Sequence, residues 1–353
     1  MCRDTFVVLN TVGPFEKYAT PVVKSCATLG TNYCDITGEV HWAALMEKKY
    51  GAAAAENKAL IIPMCGFDSV PADITTFMVA LHMAEKLGKE CGQTKAFWHD
   101  MRGSMSGGTI HTMIGILTRP FSEYRDVLRS VSDSYSYNPP SSWRGTDSEL
   151  TESRMPWFDL DTLKITAPFI MSFPNTRVVR RSAAVLNYGK RFRYRETYMA
   201  EWTAYDIATG IALTFAPILL LFMALVPPLR WFMTAFVLPA PGDGPSKEER
   251  ESGRFKLTVI GRTDGSDEQG NGVPVTATFS AQGDPGYKVT SRMAVESAMA
   301  IVLHKDELPG RKGGFHTPSS GIGRTLISRL RASGIKMEVH DAEETKVIQD
   351  KVD

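Results

Sequence analysis

The sequence predicts an α/β fold in which a parallel sheet is followed by a second α/β domain with a mixed sheet, interrupted by an apolar helical segment. Short apolar strands alternate with amphipathic helices near the start of the chain, a pattern typical of parallel sheets with right-handed crossovers. Two stretches near the C-terminus alternate apolar and polar residues, as antiparallel strands do. A long uncharged run separates these regions. The expected segments are 1–92, 93–203, 204–239 and 240–353.

The composition is that of a folded chain with no global charge. Its 353 residues are 43% hydrophobic and 10% aromatic, which is sufficient for two packed cores. The formal net charge of +1 gives no field that would attract nucleic acid or an acidic partner, so we expect no nucleic-acid partner.

The cysteines and histidines predict neither disulfides nor a metal site. The five cysteines are widely spaced and form no Cys-x-x-Cys pair, which indicates buried thiols in a reducing compartment. The seven histidines form no His-Glu-x-x-His cluster, so we predict no metal. The cysteines are Cys2, Cys26, Cys34, Cys65 and Cys91.

The first segment, 1–92, reads as three strands and three helices in alternation. The apolar run Phe6 to Asn10 ends in a turn at Gly13-Pro14, and Pro21 and Gly30 mark the start and end of the first helix. Further strands are expected at 33–36 and 60–64, and further helices at 40–50 and 71–87.

Three turns would follow these strands at one edge of the sheet. Ligands of parallel sheets bind beyond the carboxyl ends of the strands, so these turns would line a common crevice. The alternative is that they are only the glycine and proline turns that any α/β fold requires. The turns are Thr11-Val12-Gly13-Pro14, Thr37-Gly38-Glu39 and Gly66-Phe67-Asp68-Ser69.

The residues of these turns carry a resemblance to a known family. The motifs occur in the family's order and cover about half of the chain. They are Asn10-Thr11-Val12-Gly13-Pro14-Phe15, Gly30-x-x-Tyr33-x-Asp35-x-Thr37-Gly38-Glu39, Gly66-Phe67-Asp68-Ser69-Val70-Pro71-x-Asp73, Gly283-Asp284-Pro285-Gly286-Tyr287 and Gly313-Gly314-Phe315-His316-Thr317-Pro318. The sequence therefore resembles saccharopine dehydrogenase-like oxidoreductases, including trans-acting enoyl reductases.

The resemblance implies a partial Rossmann-type domain and a nicotinamide cofactor, NAD(P)H. It implies that Thr11 to Pro14 lie against the ribose and nicotinamide end, with Thr37, Gly38 and Glu39 walling the crevice and Gly66 to Ser69 on its substrate side. The family's Gly-x-Gly-x-x-Gly loop, which brings backbone amides to the pyrophosphate, has no counterpart before Gly13. Neither Gly103 to Gly108 nor Gly321-Ile322-Gly323 has the required context. We therefore expect a truncated form or incomplete gene model with weakened cofactor binding.

The second segment, 93–203, opens with an expected strand at 95–105 and a helix at 106–117. Small residues at the start of that helix suit either an anion or an ordinary cap, and we favour the cap. A polar loop is expected at 130–154. Trp157, Phe158, Phe169 and Phe173 suit an apolar substrate pocket or a plain core, and we favour the core.

The third segment, 204–239, is the apolar one. The run Ile207 to Leu229 carries no charge. It is just long enough to cross the hydrocarbon core of a membrane, which requires about 20 helical residues. Pro227-Pro228 and the shorter arm after Arg230 favour a hairpin dipping into one leaflet over a span, and a buried helical pair in a homodimer is the alternative. The expected membrane residues are Ile211, Leu213, Phe215, Ile218, Leu219, Leu220, Leu221, Phe222, Trp231 and Phe232.

A stretch of basic and aromatic residues precedes this segment, and such residues suit an anionic lipid surface. Its residues are Arg177, Arg180, Arg181, Lys190, Arg191, Arg193 and Arg195, with Tyr188, Tyr194, Tyr198 and Trp202 between them.

The fourth segment, 240–353, completes the second domain. After a charged linker, strands are expected at 255–261 and 273–281, helices at 287–303 and 325–332, and a last strand at 335–339. Asp284 to Tyr287 and His316 are placed near the crevice, and for His316 a structural hydrogen bond is preferred over catalysis.

Two functions remain open. The first is an NAD(P)H-dependent reductase of a lipid or other apolar substrate, attached to the cytoplasmic face of a membrane or a lipid droplet. The second is a non-catalytic lipid-surface scaffold that retains the reductase frame. No local spacing identifies a catalytic acid or base.

Overall fold

The computed structural model describes residues 1–103, 132–140, 142–144, 155–233, 236, 244–264 and 272–341. The expected helix at 106–117, most of the expected loop at 130–154, and the side chains of Ile218 and Leu221 lie outside the described residues.

The described strands form two sheets. In chain order they are β1 (Val7–Asn10), β2 (Asn32–Asp35), β3 (Leu60–Ile62), β4 (Cys91–Arg102), β5 (Trp157–Asp159), β6 (Lys164–Ala167), β7 (Arg193–Met199), β8 (Arg254–Thr263), β9 (Pro274–Gln282), β10 (Gly314–Phe315) and β11 (Lys336–His340).

The described helices cover both sheets. They are α1 (Phe15–Tyr18), α2 (Thr20–Leu29), α3 (Val40–Glu56), α4 (Val70–His82), α5 (Ser172–Leu186), α6 (Ala204–Leu225), α7 (Pro227–Phe232), α8 (Lys247–Ser252), α9 (Thr290–His304), α10 (Pro318–Gly321) and α11 (Arg324–Ala332). A single π-helical turn extends α4 at Met83–Leu87, and another precedes α9 at Pro285–Val289.

The smaller sheet is parallel and confirms the expected alternation of strands and helices. Its order is β1-β2-β3-β10, with every described pairing parallel. Helix α2 starts with Pro21 near its N-terminus and ends at Gly30 in the left-handed region, as the sequence predicts. The fourth strand, β10, comes from near the C-terminus, and α9 packs against β1 and β2. The smaller sheet therefore takes residues from both ends of the chain, and not only from 1–92.

The larger sheet is mixed, in agreement with the predicted second domain. Its order is β11-β9-β8-β4-β7-β6-β5, in which β4 and β7 are parallel and the other pairs antiparallel. Helix α4 lies against β8 and β9 and is buried along almost all of its length. Gly261 permits this close approach, since a Cβ there would lie 2.5 Å from Val79 Cγ1.

An aromatic cluster joins the end of β3 to the larger sheet. The ring of Phe67 meets Trp98 and Phe255 edge-on, with centroids 5.0 and 4.8 Å apart. Trp98 also stacks on Phe169 at 4.9 Å. These contacts fix the loop after β3 relative to both sheets, because buried aromatic pairs contribute area and geometric preference together.

The apolar segment forms two helices with a break at Val226, just before Pro227-Pro228. Among the described residues, no helix combines the length and the apolar character needed to cross a membrane.

The prediction of a basic, lipid-facing surface before the apolar segment is wrong for three of its arginines. Arg177, Arg180 and Arg181 lie on α5 and are buried, at 0%, 2% and 2% exposure. Their guanidinium groups donate to backbone carbonyls, among them those of Phe173 and Tyr137. These three arginines are therefore structural and do not form a lipid-facing surface. Tyr188, Tyr194 and Tyr198 are buried as well.

The prediction that the aromatic residues at 157–173 belong to the core is confirmed for Phe169 and wrong for Trp157 and Phe158. Phe169 is buried at 2% exposure, whereas Trp157 and Phe158 are 64% and 46% exposed. The last two lie on β5, the edge strand of the larger sheet, which leaves their side chains uncovered by the described residues.

Candidate functional site

Four loops meet at the carboxyl edge of the smaller sheet because its described strands run parallel. They follow β1, β2, β3 and β10, and they include the three turns predicted from the sequence together with His316 and Thr317. The short strand β10 supplies the fourth loop. His316 is predicted near the crevice, but β10, which leads to it, is not predicted from the sequence.

The turn after β1 is exposed and held by side-chain acceptors. Thr11, Val12 and Gly13 are exposed, and the Val12 amide donates to Asn10 Oδ1 over 3.1 Å. The carboxylate of Glu39 accepts the amides of Phe15 and Glu16, at 2.9 and 2.8 Å. Glu39 is 4% exposed. It therefore holds the Gly13-Pro14 turn in place, and both its oxygens are engaged by the protein.

Asp35 connects the turns after β2 and β3. Its Oδ1 accepts the amides of Thr37 and Met64, each at 3.0 Å, and its Oδ2 accepts the Tyr33 hydroxyl at 2.8 Å. Asp35 is completely buried, and this burial raises the pKa of its carboxyl to about 6. The side chain thus sets the relative position of two turns. The motif contains Asp35, but no local pattern indicates this role.

Asp68 belongs to the turn after β3, and its carboxyl approaches Gly38 in the turn after β2. A Cβ at Gly38 would lie 3.1 Å from Asp68 Oδ2, so this position needs a glycine to let the carboxyl approach. The Asp68 side chain makes no hydrogen bond or ion pair with any described residue, and it keeps partial exposure to solvent. Burial by the surrounding residues raises the pKa of its carboxyl to about 6.

The other residues of the turn after β3 are buried in protein contacts. The Phe67 amide donates to Thr290 Oγ1 over 3.1 Å, and the Phe67 ring enters the aromatic cluster. Gly66 and Ser69 are buried too. Of the four residues assigned to a substrate crevice, Asp68 alone presents a polar side chain to it.

His316 and Asp73 lie behind this edge and are tied to the protein. Asp73 accepts the Ser182 hydroxyl at 2.5 Å and the Ser319 amide at 2.8 Å. The Nε2 of His316 lies 3.3 Å from the Gly313 carbonyl, which it faces as a donor, and burial lowers the pKa of the imidazole. This contact agrees with the expected structural hydrogen bond.

One described group has the residue types of a metal site. The ligand atoms of Glu16, Glu39 and His41 lie within 4.8 Å of one another. Glu39 already accepts two amides, and His41 Nε2 is paired with Glu16 at 3.1 Å. The three side chains make hydrogen bonds beside the turn, and the prediction of no metal remains a prediction.

The turns expected to contact the nicotinamide half of the cofactor are partly exposed. Thr11, Val12 and Gly13 are exposed beside the partly exposed Gly38, which leaves backbone and small side chains accessible to a ribose and a planar ring. Within the described ranges, β1 is the edge strand of the smaller sheet, and no Gly-x-Gly-x-x-Gly loop accompanies it. Beyond Gly103, the glycine-rich stretch at 103–108 lies outside the described residues. The pyrophosphate half thus has no matching cradle in the described structure.

The chain was compared with known proteins. No model of a protein family matches it. A protein of Mycobacterium tuberculosis strain H37Rv that is named among the trans-acting enoyl reductases is 33% identical over 356 residues, covering 96% of the chain and 81% of that protein. The trans-acting enoyl reductase of Mycobacterium bovis strain BCG is 32% identical over 349 residues, with coverage of 96% and 81%.

Two further similarities complete the comparison. The trans-acting enoyl reductase of Mycobacterium ulcerans is 30% identical over 349 residues, covering 95% of the chain and 80% of that protein. The structure of apo saccharopine dehydrogenase (L-Glu forming) from Saccharomyces cerevisiae is similar with a TM-score of 0.48 and 8% identity, covering 96% of the chain and 86% of that structure. The relatives confirm the family that the turn motifs indicate: the chain belongs to the oxidoreductase family of the trans-acting enoyl reductases.

Proposed function

We propose that this protein is an NAD(P)H-dependent reductase that saturates the conjugated carbon–carbon double bond of a lipid-type enoyl substrate. The observation that carries the proposal is the meeting of three predicted turns at one edge of a parallel sheet, with the partly exposed carboxyl of Asp68 between two of them. The names of the relatives supply the reaction class.

The chain's own residues would position the reactants. Thr11 to Pro14 would lie against the nicotinamide and ribose, and Gly38 would let the ring approach the sheet edge. When bound, NAD(P)H would supply the hydride. Glu39 and Asp35 keep these turns in place through four backbone amides, so the surface that receives the ring is organised in advance.

This activity can be measured with a model substrate. The wild-type chain at millimolar NADPH is expected to oxidise the cofactor in the presence of the 2-octenoyl thioester of N-acetylcysteamine. Gly13→Val should lower this rate at least about tenfold, because the added side chain would occupy the exposed face of the turn. Gly51→Val, on the outer side of α3, is the matched control and should retain the rate. A wild-type chain that oxidises no NADPH with this thioester would contradict the proposal.

A lipid surface is the proposed partner and location. Helix α6 turns its small and polar residues Asp206, Gly210 and Thr214 toward the protein, where Gly210 lies near Ala167 and Tyr198. Its exposed side carries a stripe of large apolar residues spaced as one helical face. They are Ile207, Ile211, Phe215, Leu219, Phe222 and Leu225, between 42% and 60% exposed. Together with the exposed Trp231 and Phe232 of α7, this stripe supports attachment to one leaflet at a cytoplasmic membrane face or lipid droplet.

Flotation with phosphatidylcholine liposomes tests this attachment. The wild-type chain is expected to float, and the triple variant Phe215→Ser, Leu219→Ser and Phe222→Ser should bind at least about 100-fold more weakly, since each buried side chain contributes roughly 1.5–3 kcal/mol. The control replaces three exposed apolar residues of α9 by serine: Val295, Val302 and Leu303. Equal flotation of both variants would contradict a role for α6.

One observation favours a second candidate, a lipid-surface scaffold without catalysis. The exposed apolar stripe of α6 would serve a lipid-bound scaffold with or without a cofactor. A chain that floats with liposomes but binds no NADPH even at millimolar concentration would favour the scaffold.

A further inference from the structure

We propose that Asp68 is the catalytic acid of the reduction, the group that donates a proton to the α-carbon of the enoyl substrate from its place between the turns after β2 and β3. The inference rests on the proposed function. It names the protein group that supplies the proton, which the cofactor does not supply. Reduction of a conjugated double bond needs a hydride at one carbon and a proton at the other.

Burial favours the protonated carboxyl of three aspartates near this edge, and two of the three have hydrogen-bond partners among the described residues. Asp35 is completely buried and accepts two amides and a hydroxyl. Asp73 is completely buried and accepts the Ser182 hydroxyl and the Ser319 amide. Asp68 has no such partner among the described residues and is partly exposed. The two engaged carboxyls serve the fold, whereas Asp68 has its hydrogen-bonding capacity available for a ligand.

Two neighbouring residues, Phe67 and Gly38, determine where the Asp68 carboxyl lies. The Phe67 ring is fixed in the aromatic cluster, and its amide is bonded to Thr290, so the residue before Asp68 cannot shift freely. On the other side, Gly38 leaves space for the carboxyl, since any Cβ there would lie 3.1 Å from Oδ2. A carboxyl fixed beside a cofactor-binding turn is in the position that proton transfer requires.

Other candidate donors near the edge are less suitable. His316 is held against the Gly313 carbonyl, and burial lowers its pKa, which disfavours the charged imidazolium. The hydroxyl of Tyr137 has no partner among the described residues but is 2% exposed, and burial raises its pKa. Asp68 combines accessibility with a carboxyl whose pKa is raised to about 6, so a protonated fraction persists near neutral pH.

The chemical step balances without a further reagent. The β-carbon of the enoyl thioester accepts the hydride, and the electrons of the double bond move toward the thioester carbonyl to form an enolate. The α-carbon of that enolate takes the proton from the Asp68 carboxyl, which becomes a carboxylate and is protonated again by water. When bound, NAD(P)H would supply the two electrons that reduce the double bond.

The test uses the full chain with NADPH and the 2-octenoyl thioester of N-acetylcysteamine. Asp68→Asn should lower kcat roughly 100-fold or more with little change in KM, because a general acid acts in the transition state. Wild-type kcat should fall as the pH rises above about 6, and Asp68→Asn should lose this dependence. Asp73→Asn, which changes a carboxyl that faces no substrate, should keep the wild-type pH profile.

A second readout separates the proton from the hydride. In D₂O, the wild-type chain should place deuterium on one face of the α-carbon, while the residual product of Asp68→Asn should carry it on both faces. An unchanged kcat, pH profile and label pattern in Asp68→Asn would overturn the assignment. A wild-type chain inactive with the thioester would instead contradict the proposed function. Because the assignment of Asp68 rests on that function, it would be overturned as well.

Discussion

Glu39 shows how a residue can be essential to the site without touching a ligand. The resemblance assigned it to the wall of the cofactor crevice, and the structure places its two oxygens on the amides of Phe15 and Glu16. Buried amides that lose their acceptor are costly, because desolvation is no longer compensated.

This arrangement predicts the effect of replacing Glu39. Glu39→Ala leaves two amides without an acceptor and should lower the free energy of unfolding by about 2–3 kcal/mol. Glu39→Gln keeps one acceptor oxygen and should lose about half as much. Urea denaturation followed by circular dichroism measures both values. Equal stability of Glu39→Ala and the wild type would show that water or other groups replace the carboxylate.

Asp35 and Asp73 predict an unusual dependence of stability on pH. Burial raises the pKa of each carboxyl from 3.8 to about 6, so the folded chain retains protons that the unfolded chain has released between these values. The free energy of unfolding should therefore fall as the pH rises from about 4 to about 6, by about 3 kcal/mol for each group. Denaturation curves of the wild type and Asp73→Asn across this range test the sign. A stability that rises with pH in both proteins would contradict it.

At the scale of elements, an ion-pair network joins three strands of the larger sheet. Glu201, which follows β7, is paired with Lys164 of β6, and its carboxylate lies 3.2 Å from His99 Nδ1 on β4. The hydrogen bond from His99, opposed by partial burial and supported by Lys164, lowers the pKa of Glu201 to about 2. The carboxylate thus stabilises the sheet where it is charged.

The sign of this contribution is opposite to that of the buried aspartates. The stabilisation by Glu201 is complete above the ordinary pKa of 4.5 and is lost as the pH falls toward about 2. Glu201→Gln should lower the free energy of unfolding by about 1–2 kcal/mol at pH 7, after allowance for solvent screening, and by almost nothing at pH 2. Chemical denaturation at the two pH values is the measurement, and a loss of equal size at both would contradict the ionic origin.

The elements that the sequence predicted best are those with local signals. Pro21 and Gly30 bound α2, and apolar runs of β-branched residues give β1 and β3. Helix α5 was missed because Arg177, Arg180 and Arg181 suggest a charged surface, while their actual partners are carbonyls from distant segments such as Tyr137 and Phe315. No local pattern encodes such long-range acceptors.

At the scale of the whole molecule, the smaller sheet includes elements from the C-terminal segment as well as from the first segment. Strand β10 and helix α9 return to the smaller sheet, although the sequence assigned them to the second domain. A strand of two residues, Gly314–Phe315, has no detectable period, so its place could not be predicted. The positions of the three turns could be predicted because parallel strands bring their carboxyl ends together. The partly exposed carboxyl of Asp68, which makes no hydrogen bond with a described residue, could not be predicted, because its contacts are set only in the folded chain.

The affinity for the cofactor also depends on the whole molecule. The proposed contacts of Thr11 to Pro14 and Gly38 account for the nicotinamide half of the cofactor, so we expect this chain to bind NADPH with a Kd of about 1 mM instead of about 1 μM, a difference of about 4 kcal/mol. Equilibrium titration followed by NADPH fluorescence measures it. Micromolar binding by this chain would contradict the expected weakening.

Transfer of labelled hydride tests the central claim, that the edge of the smaller sheet is a reduction site. The wild-type chain is incubated with saturating NADPH deuterated at the transferable position and with the 2-octenoyl thioester of N-acetylcysteamine, and the octanoyl product is examined by mass spectrometry and NMR. We expect one deuterium at the β-carbon and a solvent-derived proton at the α-carbon, with product formation greatly reduced in Asp68→Asn. Unchanged thioester after incubation with the wild-type chain, at NADPH concentrations where binding is demonstrated, would contradict it.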